Sequence, residues 1–170
     1  MIEVELKDEE VTRLLDRLAR HLSDMSQVMN DIGLQLMDET ERRFEEGVAP
    51  DGTPWAPKSA ATIAAYERRG QRVDFRPLFG PNVDGIPLRS SFFHQYGPDW
   101  VEVGTNKIYS AVMQFGASKG AFGVDARGGS IPWGDIPARP FLGISERDRD
   151  NIAETVDEWL ARVAEGAQGD

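Results

Sequence analysis

Gly116-Ala117-Ser118-Lys119-Gly120 is the segment of this 170-residue chain whose residue types come nearest to chemistry. It fits G-x-S-x-G, the pattern of a nucleophile elbow, in which a sharp strand-to-helix turn pushes a serine into the open. The surroundings argue against that reading. An elbow needs a helix directly after the serine, whereas Ala121 to Ser130 is rich in glycine. Hydrolases built this way also place the general-base histidine later in the chain, and His21 and His94 both precede Ser118. Lys119 does not complete a phosphate loop either, because the glycine spacing is wrong and no Ser or Thr follows it.

Metal and acid–base chemistry find as little support. The absence of cysteine excludes disulfides and thiolate metal sites and leaves the redox compartment unread. His21 falls in a helical stretch with Asp24 three residues on, and His94 falls in a strand-like run; neither has a second ligand at the usual helical spacing. Glu9-Glu10 and Glu45-Glu46 are adjacent pairs whose side chains diverge, so neither makes a general acid/base dyad. No catalytic, cofactor-binding or metal-binding residue is therefore assigned, and no cofactor is expected.

The residues that stand out are structural. In Ile136-Pro137-Ala138-Arg139-Pro140-Phe141-Leu142-Gly143, prolines flank Ala138-Arg139, fix φ at two positions and push the residues before them out of the α region. The segment should be extended and stiff, with Arg139 preset to face a carboxylate, a carbonyl or a neighbouring chain. Phe141, Leu142 and, in the earlier Gln114-Phe115-Gly116, Phe115 have the composition of core anchors. Together, Arg139, Phe141 and Phe115 are expected to organise the fold, and Arg139→Ala to leave a soluble monomer that assembles poorly.

The length suits one core with appendages, read as a single domain over residues 1–165 with a polar tail over 166–170. The apolar fraction of 40% and charged fraction of 28% are those of a globular protein. The net charge of −10 is uneven: residues 1–46 carry 13 acids against 6 bases, 47–145 carry 8 against 10, and 146–170 carry 8 against 3. Such a chain is a poor free-standing ligand for nucleic acid, since phosphate neutralisation supplies most non-specific affinity, but it can surround DNA without gripping it. The N-terminus lacks a basic region and an apolar run, and no stretch approaches a membrane span. The expectation is a soluble protein of the compartment where it is made.

The elements that would position these residues read as α+β. Ile2, Val4 and Leu6 alternate with polar residues as a short strand. Apolar residues from Val11 to Met37 recur at three- and four-residue steps, predicting a long amphipathic helix, or two with a break near Ser23-Asp24, that runs to about Phe44 and stops at Gly47. Ala49 to Pro57 is irregular, with Trp55 as its anchor. Ser59 caps a short helix from Ala60 to Arg69, closed by Gly70, and Arg68, Arg69, Arg72 and Arg76 then form a solvated, basic helix end. Leu88–Tyr96 and Trp100–Thr105 read as a hairpin turning at Gly97-Pro98-Asp99. Tyr109 to Phe115 is a strand or a short helix. Ala117 to Ser130 is a long loop with four glycines. Ser145 and Asp148 make a capping box for a closing helix striped by Ile152, Val156, Trp159, Leu160 and Val163. The result is a long N-terminal helix and a C-terminal helix packed on a small, mainly antiparallel sheet with long loops.

In order and spacing, Asp51-Gly52-Thr53-Pro54-Trp55-Ala56-Pro57, Thr62, Tyr66, Gly70, Pro77-Leu78, Leu88-Arg89-Ser90-Ser91, Val103-Gly104-Thr105, Tyr109, Gln114-Phe115-Gly116 and the 136–143 segment resemble the phage virion morphogenesis family. The likeness runs from the first helix to the last. Two departures stand against it: a Pro/Gly-bearing stretch between Gly80 and Leu88 where the family has a direct Thr-Gly-x-Leu entry, implying a longer loop there, and Tyr109-Ser110 in place of Tyr-Ala.

The resemblance implies a structural protein of the phage neck or tail that completes the tail or joins it to the head, without a catalytic site. It implies a homo-oligomeric ring, a hexamer or dodecamer, bound to other neck or tail proteins, with DNA passing through the channel unrecognised and no membrane involved. The protein would be made in the host cytoplasm and end in the virion. The fold and assembly motif carried by the resemblance is Trp55, Gly104, Tyr109, Gln114, Phe115, Gly116, Pro137, Arg139, Pro140, Phe141 and Leu142. The loops at 79–87 and 117–130 are expected to contact neighbours, and an acidic face to line the channel unless Arg68, Arg69 and Arg72 do. The alternatives are an assembly chaperone or binding module absent from the virion, and a small serine hydrolase using Ser118.

Overall fold

The computed structural model describes residues 9–80 and 85–168. The strand expected over Ile2–Leu6 and part of the 79–87 loop lie outside the described residues. In chain order the elements are α1 (Glu9–Ser23), α2 (Ser26–Glu46), α3 (Ala60–Arg68), a 3-10 turn (Leu88–Ser90), β1 (Phe92–Tyr96), β2 (Val101–Thr105), α4 (Ser110–Phe115) and α5 (Glu146–Gln168). This is the α+β arrangement that the patterning predicts.

Helix α2 is the axis of the molecule. The long N-terminal periodicity is broken at Asp24-Met25, where the Asp24 carboxylate accepts hydrogen bonds from the Ser26 backbone N–H (3.0 Å) and hydroxyl (2.6 Å). Those bonds favour the charged form and hold its pKa below the usual carboxylate value. At the other end Gly47 takes φ +71, a conformation that costs glycine little, and its N–H bonds the Arg43 carbonyl at 2.8 Å.

Two apolar clusters lie along this helix. Near its start, Val28 and Ile32 are buried with Trp159 and Val163 of α5, with Leu18, Ile152 and Val156 packed around them. Near its end, Phe44 is buried with Trp55, Phe79, Leu88, Phe92 and Phe141. The Phe44 ring meets Trp55 edge-on at 5.3 Å and lies 5.5 Å from Phe141, distances at which aromatic pairs add to simple burial. The α5 stripe is as expected except that Leu160 is exposed, and the helix runs through Gly166 to Gln168 where a tail is expected from 166.

Among the described residues the sheet consists of β1 and β2, antiparallel from Phe92↔Thr105 to Tyr96↔Val101. A two-stranded sheet needs a packing partner, and α2 supplies it. His94 lies so close to Gly33 of α2 that a Cβ there would stand 2.5 Å from the imidazole. The expected first strand is shortened: Leu88 to Ser90 is a 3-10 turn. Pro87 has no N–H to contribute to a ladder, the Ser91 N–H and hydroxyl both bond the Leu88 carbonyl, and Leu88 turns into the core. Tyr109–Phe115 resolves as the short helix, with Tyr109 at its N-cap.

Candidate assembly surface

The 136–143 segment is the strap that ties the irregular parts of the chain to the core. Ala117 and Ile136 exchange backbone hydrogen bonds at 2.9 and 2.7 Å, and the Arg139 N–H bonds the Met113 carbonyl at 2.8 Å. Gln114 then reads the strap with its side-chain amide: Oε1 accepts from the Phe141 and Leu142 N–H groups at 2.9 and 3.0 Å, and Nε2 donates to the Leu142 carbonyl at 2.9 Å. One amide thus satisfies three backbone groups of a segment whose prolines prevent it from joining a sheet.

Arg139 is buried, and its guanidinium is spent inside the chain. Nε donates to the Ala56 carbonyl at 2.7 Å and Nη2 to the Pro57 carbonyl at 2.9 Å. Of the three partners that the sequence leaves open, the carbonyl is the one found. No carboxylate among the described residues pairs with it, and burial pushes the Arg139 pKa down from its ordinary value. Trp55 closes the same corner, its Nε1 donating to the Pro140 carbonyl at 2.8 Å. Thus the 55–57 turn and the 139–140 strap are stitched by three hydrogen bonds from two side chains.

Among the other motif residues, Phe141 is fully buried, Leu142 packs against the aromatic cluster, and Gly104 lies in β2 beneath the Phe93 ring. Gly116, at φ +74, sits so close to the strap that a Cβ would come within 2.7 Å of the Ile136 carbonyl and 2.8 Å of the Ala138 N. Pro137 is exposed and Pro140 half-buried. Phe115 departs from the core expectation: it is 78% exposed. Helix α4 is a six-residue element, and Met113 and Gln114 take its inward positions, which leaves the next side chain turned outward.

Phe115 is not the sole large apolar side chain left exposed. From Ser118 to Asp135 the chain forms a self-contained arm: Phe122 N–H bonds the Ile131 carbonyl at 2.7 Å, Ile131 N–H bonds Gly123 at 2.8 Å, Asp125 N–H bonds Gly129 at 2.8 Å, and Lys119 N–H bonds the Asp135 carboxylate at 2.7 Å. Among the described residues, every hydrogen bond made by 118–135 falls within 118–135. Its large apolar side chains are left to solvent: Trp133 is 75% exposed, Val124 66% and Phe122 57%. Ile108, before α4, is 96% exposed. Sequence reasoning marks the 117–130 loop but misses Ile108, Phe122 and Trp133, whose signal is large apolar side chains set among turn residues.

A second pair missed from the sequence holds the helices together. Arg43 of α2 donates to Asp148 of α5, with both side chains shielded from solvent, and Arg43 Nη1 also donates to the Phe141 and Gly143 carbonyls at 3.1 and 3.0 Å. Asp148 simultaneously completes the expected capping box: Ser145 N–H donates to its carboxylate at 2.6 Å and Asp148 N–H donates to the Ser145 hydroxyl at 3.1 Å. The available signal is that Thr40 and Arg43 fall on the buried face of α2 with Val28, Ile32 and Phe44.

The chemical readings gain nothing from the geometry. Ser118 is exposed and follows helix α4 instead of preceding a helix, so the strand-to-helix elbow is missing. His94 is occupied by contacts to Asn30 Oδ1 (2.9 Å) and Met37 S (3.2 Å). No cluster of three metal-binding side chains occurs among the described residues, and no described helix is long and apolar enough to cross a membrane. Of the arginine group, Arg68, Arg69 and Arg72 are exposed, whereas Arg76 pairs with Glu45 (2.6 Å) and Asp74 (2.8 Å) and lies 3.4 Å over the Phe79 ring. Hydrogen bonds from Arg76 hold the Asp74 carboxyl down at about 2.

No solved structure gives a significant match to this chain. Curated proteins do. The Mu-like prophage FluMu G protein 2 of Haemophilus influenzae is 29% identical over 161 residues, covering 94% of this chain and 96% of that protein. The tail completion protein S of Escherichia phage P2 is 27% identical over 163 residues, covering 90% and 99%. The putative capsid assembly protein G of Escherichia phage Mu is 29% identical over 122 residues, covering 71% and 70%. The model of the phage virion morphogenesis family matches residues 6–161, the span from α1 through the strap to α5. The chain belongs to the phage virion morphogenesis family.

Proposed function

We propose that this chain is a non-enzymatic subunit of the phage neck or tail that completes the tail or joins it to the head, acting as a homo-oligomeric ring. Family membership and the full-length likeness to a tail completion protein support the virion role. The observation that carries the structural-subunit reading is the 118–135 arm, which bonds to itself and leaves Phe122, Val124 and Trp133 exposed, as Phe115 is. Exposed apolar patches of this kind mark interaction surfaces, and a folded chain that displays one is built to be covered. The loop at 79–87 is the second proposed contact. The motif residues Trp55, Gln114, Gly116, Arg139 and Phe141 serve this role by fixing the strap from which the arm projects.

The acidic ends of the chain suit a channel through which DNA passes without being held, since like charge repels the backbone. A second reading, an assembly factor that leaves before maturation, is favoured by the name of the phage Mu relative. The direct test is electron microscopy of particles from a phage whose gene for this chain is disrupted. Unjoined heads and incomplete tails are expected; normally joined, full-length particles would contradict the proposal.

A further inference from the structure

The charges of the arm bear on what it meets. Within the arm both carboxylates are turned onto its own backbone: Asp125 Oδ1 accepts from the N–H groups of Arg127 and Gly129 at 2.8 Å each, and Asp135 accepts from that of Lys119. The Lys119 and Arg127 side chains enter no ion pair among the described residues, and in chain order they stand on either side of the exposed Phe122 and Val124. The arm therefore carries exposed apolar side chains and two cations that no carboxylate of the described residues pairs.

The complementary pattern lies on the outer face of α2. Leu34, Asp38 and Glu41 follow one another at four- and three-residue steps, opposite the buried Val28, Ile32 and Phe44, and all three are exposed. Leu34 is 48% exposed, and no ion pair among the described residues engages Asp38 or Glu41. This is an apolar side chain beside two carboxylates, the counterpart of the arm. No hydrogen bond or ion pair joins the arm to α2 within one copy.

We propose that the arm of one copy docks on the Leu34-Asp38-Glu41 face of α2 in a second copy, with Lys119 and Arg127 set against Asp38 and Glu41 around an apolar centre. Because the two patches differ, the contact is heterologous, head to tail, and such a contact repeats until a rotation closes it into a ring. Apolar side chains at the centre with charges at the rim is how stable interfaces are arranged, and the rim charges set the partner and the register. The inference rests on the ring-subunit reading and gives that ring its interface.

Sedimentation of the full chain over a concentration series tests it, beside charge-swapped variants. The intact protein is expected to assemble. Lys119→Glu with Arg127→Glu, and separately Asp38→Lys with Glu41→Lys, should each raise the dissociation midpoint roughly tenfold or more, and the four changes combined should restore association. Trp133→Ser should also dissociate the assembly while leaving the far-ultraviolet circular dichroism of the monomer unchanged. An assembly indifferent to the arm reversal would overturn the docking, as would a chain that stays monomeric throughout. A monomer that is nevertheless found in purified particles would overturn self-docking alone, pointing to another virion protein on the arm. Absence from particles would instead overturn the virion role.

Discussion

Arg43 and Asp148 stand 105 positions apart in the chain and form an ion pair that solvent does not reach. Around it α2, the strap and α5 converge, since Arg43 also binds two strap carbonyls and Asp148 caps α5. Such a pair is expensive to desolvate and worth little over a well-packed apolar pair, but removing one member strands the other.

Accordingly, Arg43→Met should destabilise the fold by about 3–5 kcal/mol, and Asp148→Leu comparably. The double variant should lose far less than the two combined, because it leaves no buried charge behind. Urea unfolding of the three variants checks this. Additive losses would show that the two residues act independently.

Arg139→Ala is now expected to act on the fold before it acts on assembly. The substitution leaves the Ala56 and Pro57 carbonyls without their charged donor and should cost about 2–3 kcal/mol. Arg139→Lys should recover little, since an ammonium lacks the fork that spans two carbonyls. A thermal midpoint unchanged by either variant would show that the strap is held by other contacts.

Phe141 and Trp133 should behave oppositely although both are large aromatics. Phe141, fully buried against the Phe44 and Phe92 rings, should cost about 3–5 kcal/mol on truncation to alanine. Trp133→Ser, at an exposed site, should change monomer stability by no more than about 0.5 kcal/mol. Equilibrium unfolding of both separates the core from the surface. A large loss at Trp133 would mean that the arm packs on its own body.

Asp74 gives the acid limb a defined contribution. Its pKa of about 2 lies below the ordinary 3.8, so the stability it adds is present above about pH 4 and disappears as the pH falls towards 2. The carboxylate is partly solvated, so that contribution is under about 1 kcal/mol and weakens with salt. Asp74→Asn should flatten this part of the stability curve, measured by urea unfolding between pH 5 and 2. An unchanged acid profile would remove Asp74 from the account.

Elements set by local chemistry were legible in the sequence. The break at Asp24, the Gly47 stop, the Ser59 and Ser145 caps and the Gly97-Pro98-Asp99 turn each follow from residues within a few positions of one another. The strap was legible because two prolines stiffen it. What local pattern could not reveal was which distant groups would meet. Arg43 reads as one more base at a helix end until Asp148 is brought to it, and Arg139 has three eligible partners until the 56–57 carbonyls arrive. Phe115 carries the composition of the core, yet its place at the end of a one-and-a-half-turn helix turns it outward. The 117–130 stretch was recognisable as a loop that compact domains seldom keep; its bonding to itself, and the exposure of its aromatics, emerge only in three dimensions.

The central claim is that this chain is a component of the phage neck or tail. Quantitative mass spectrometry of purified mature particles, normalised to a protein of known copy number, addresses it most directly. A small, fixed copy number that localises to the neck or tail is the predicted result. Its absence from particles that are otherwise complete would contradict the account and transfer the role to a factor that acts only during assembly.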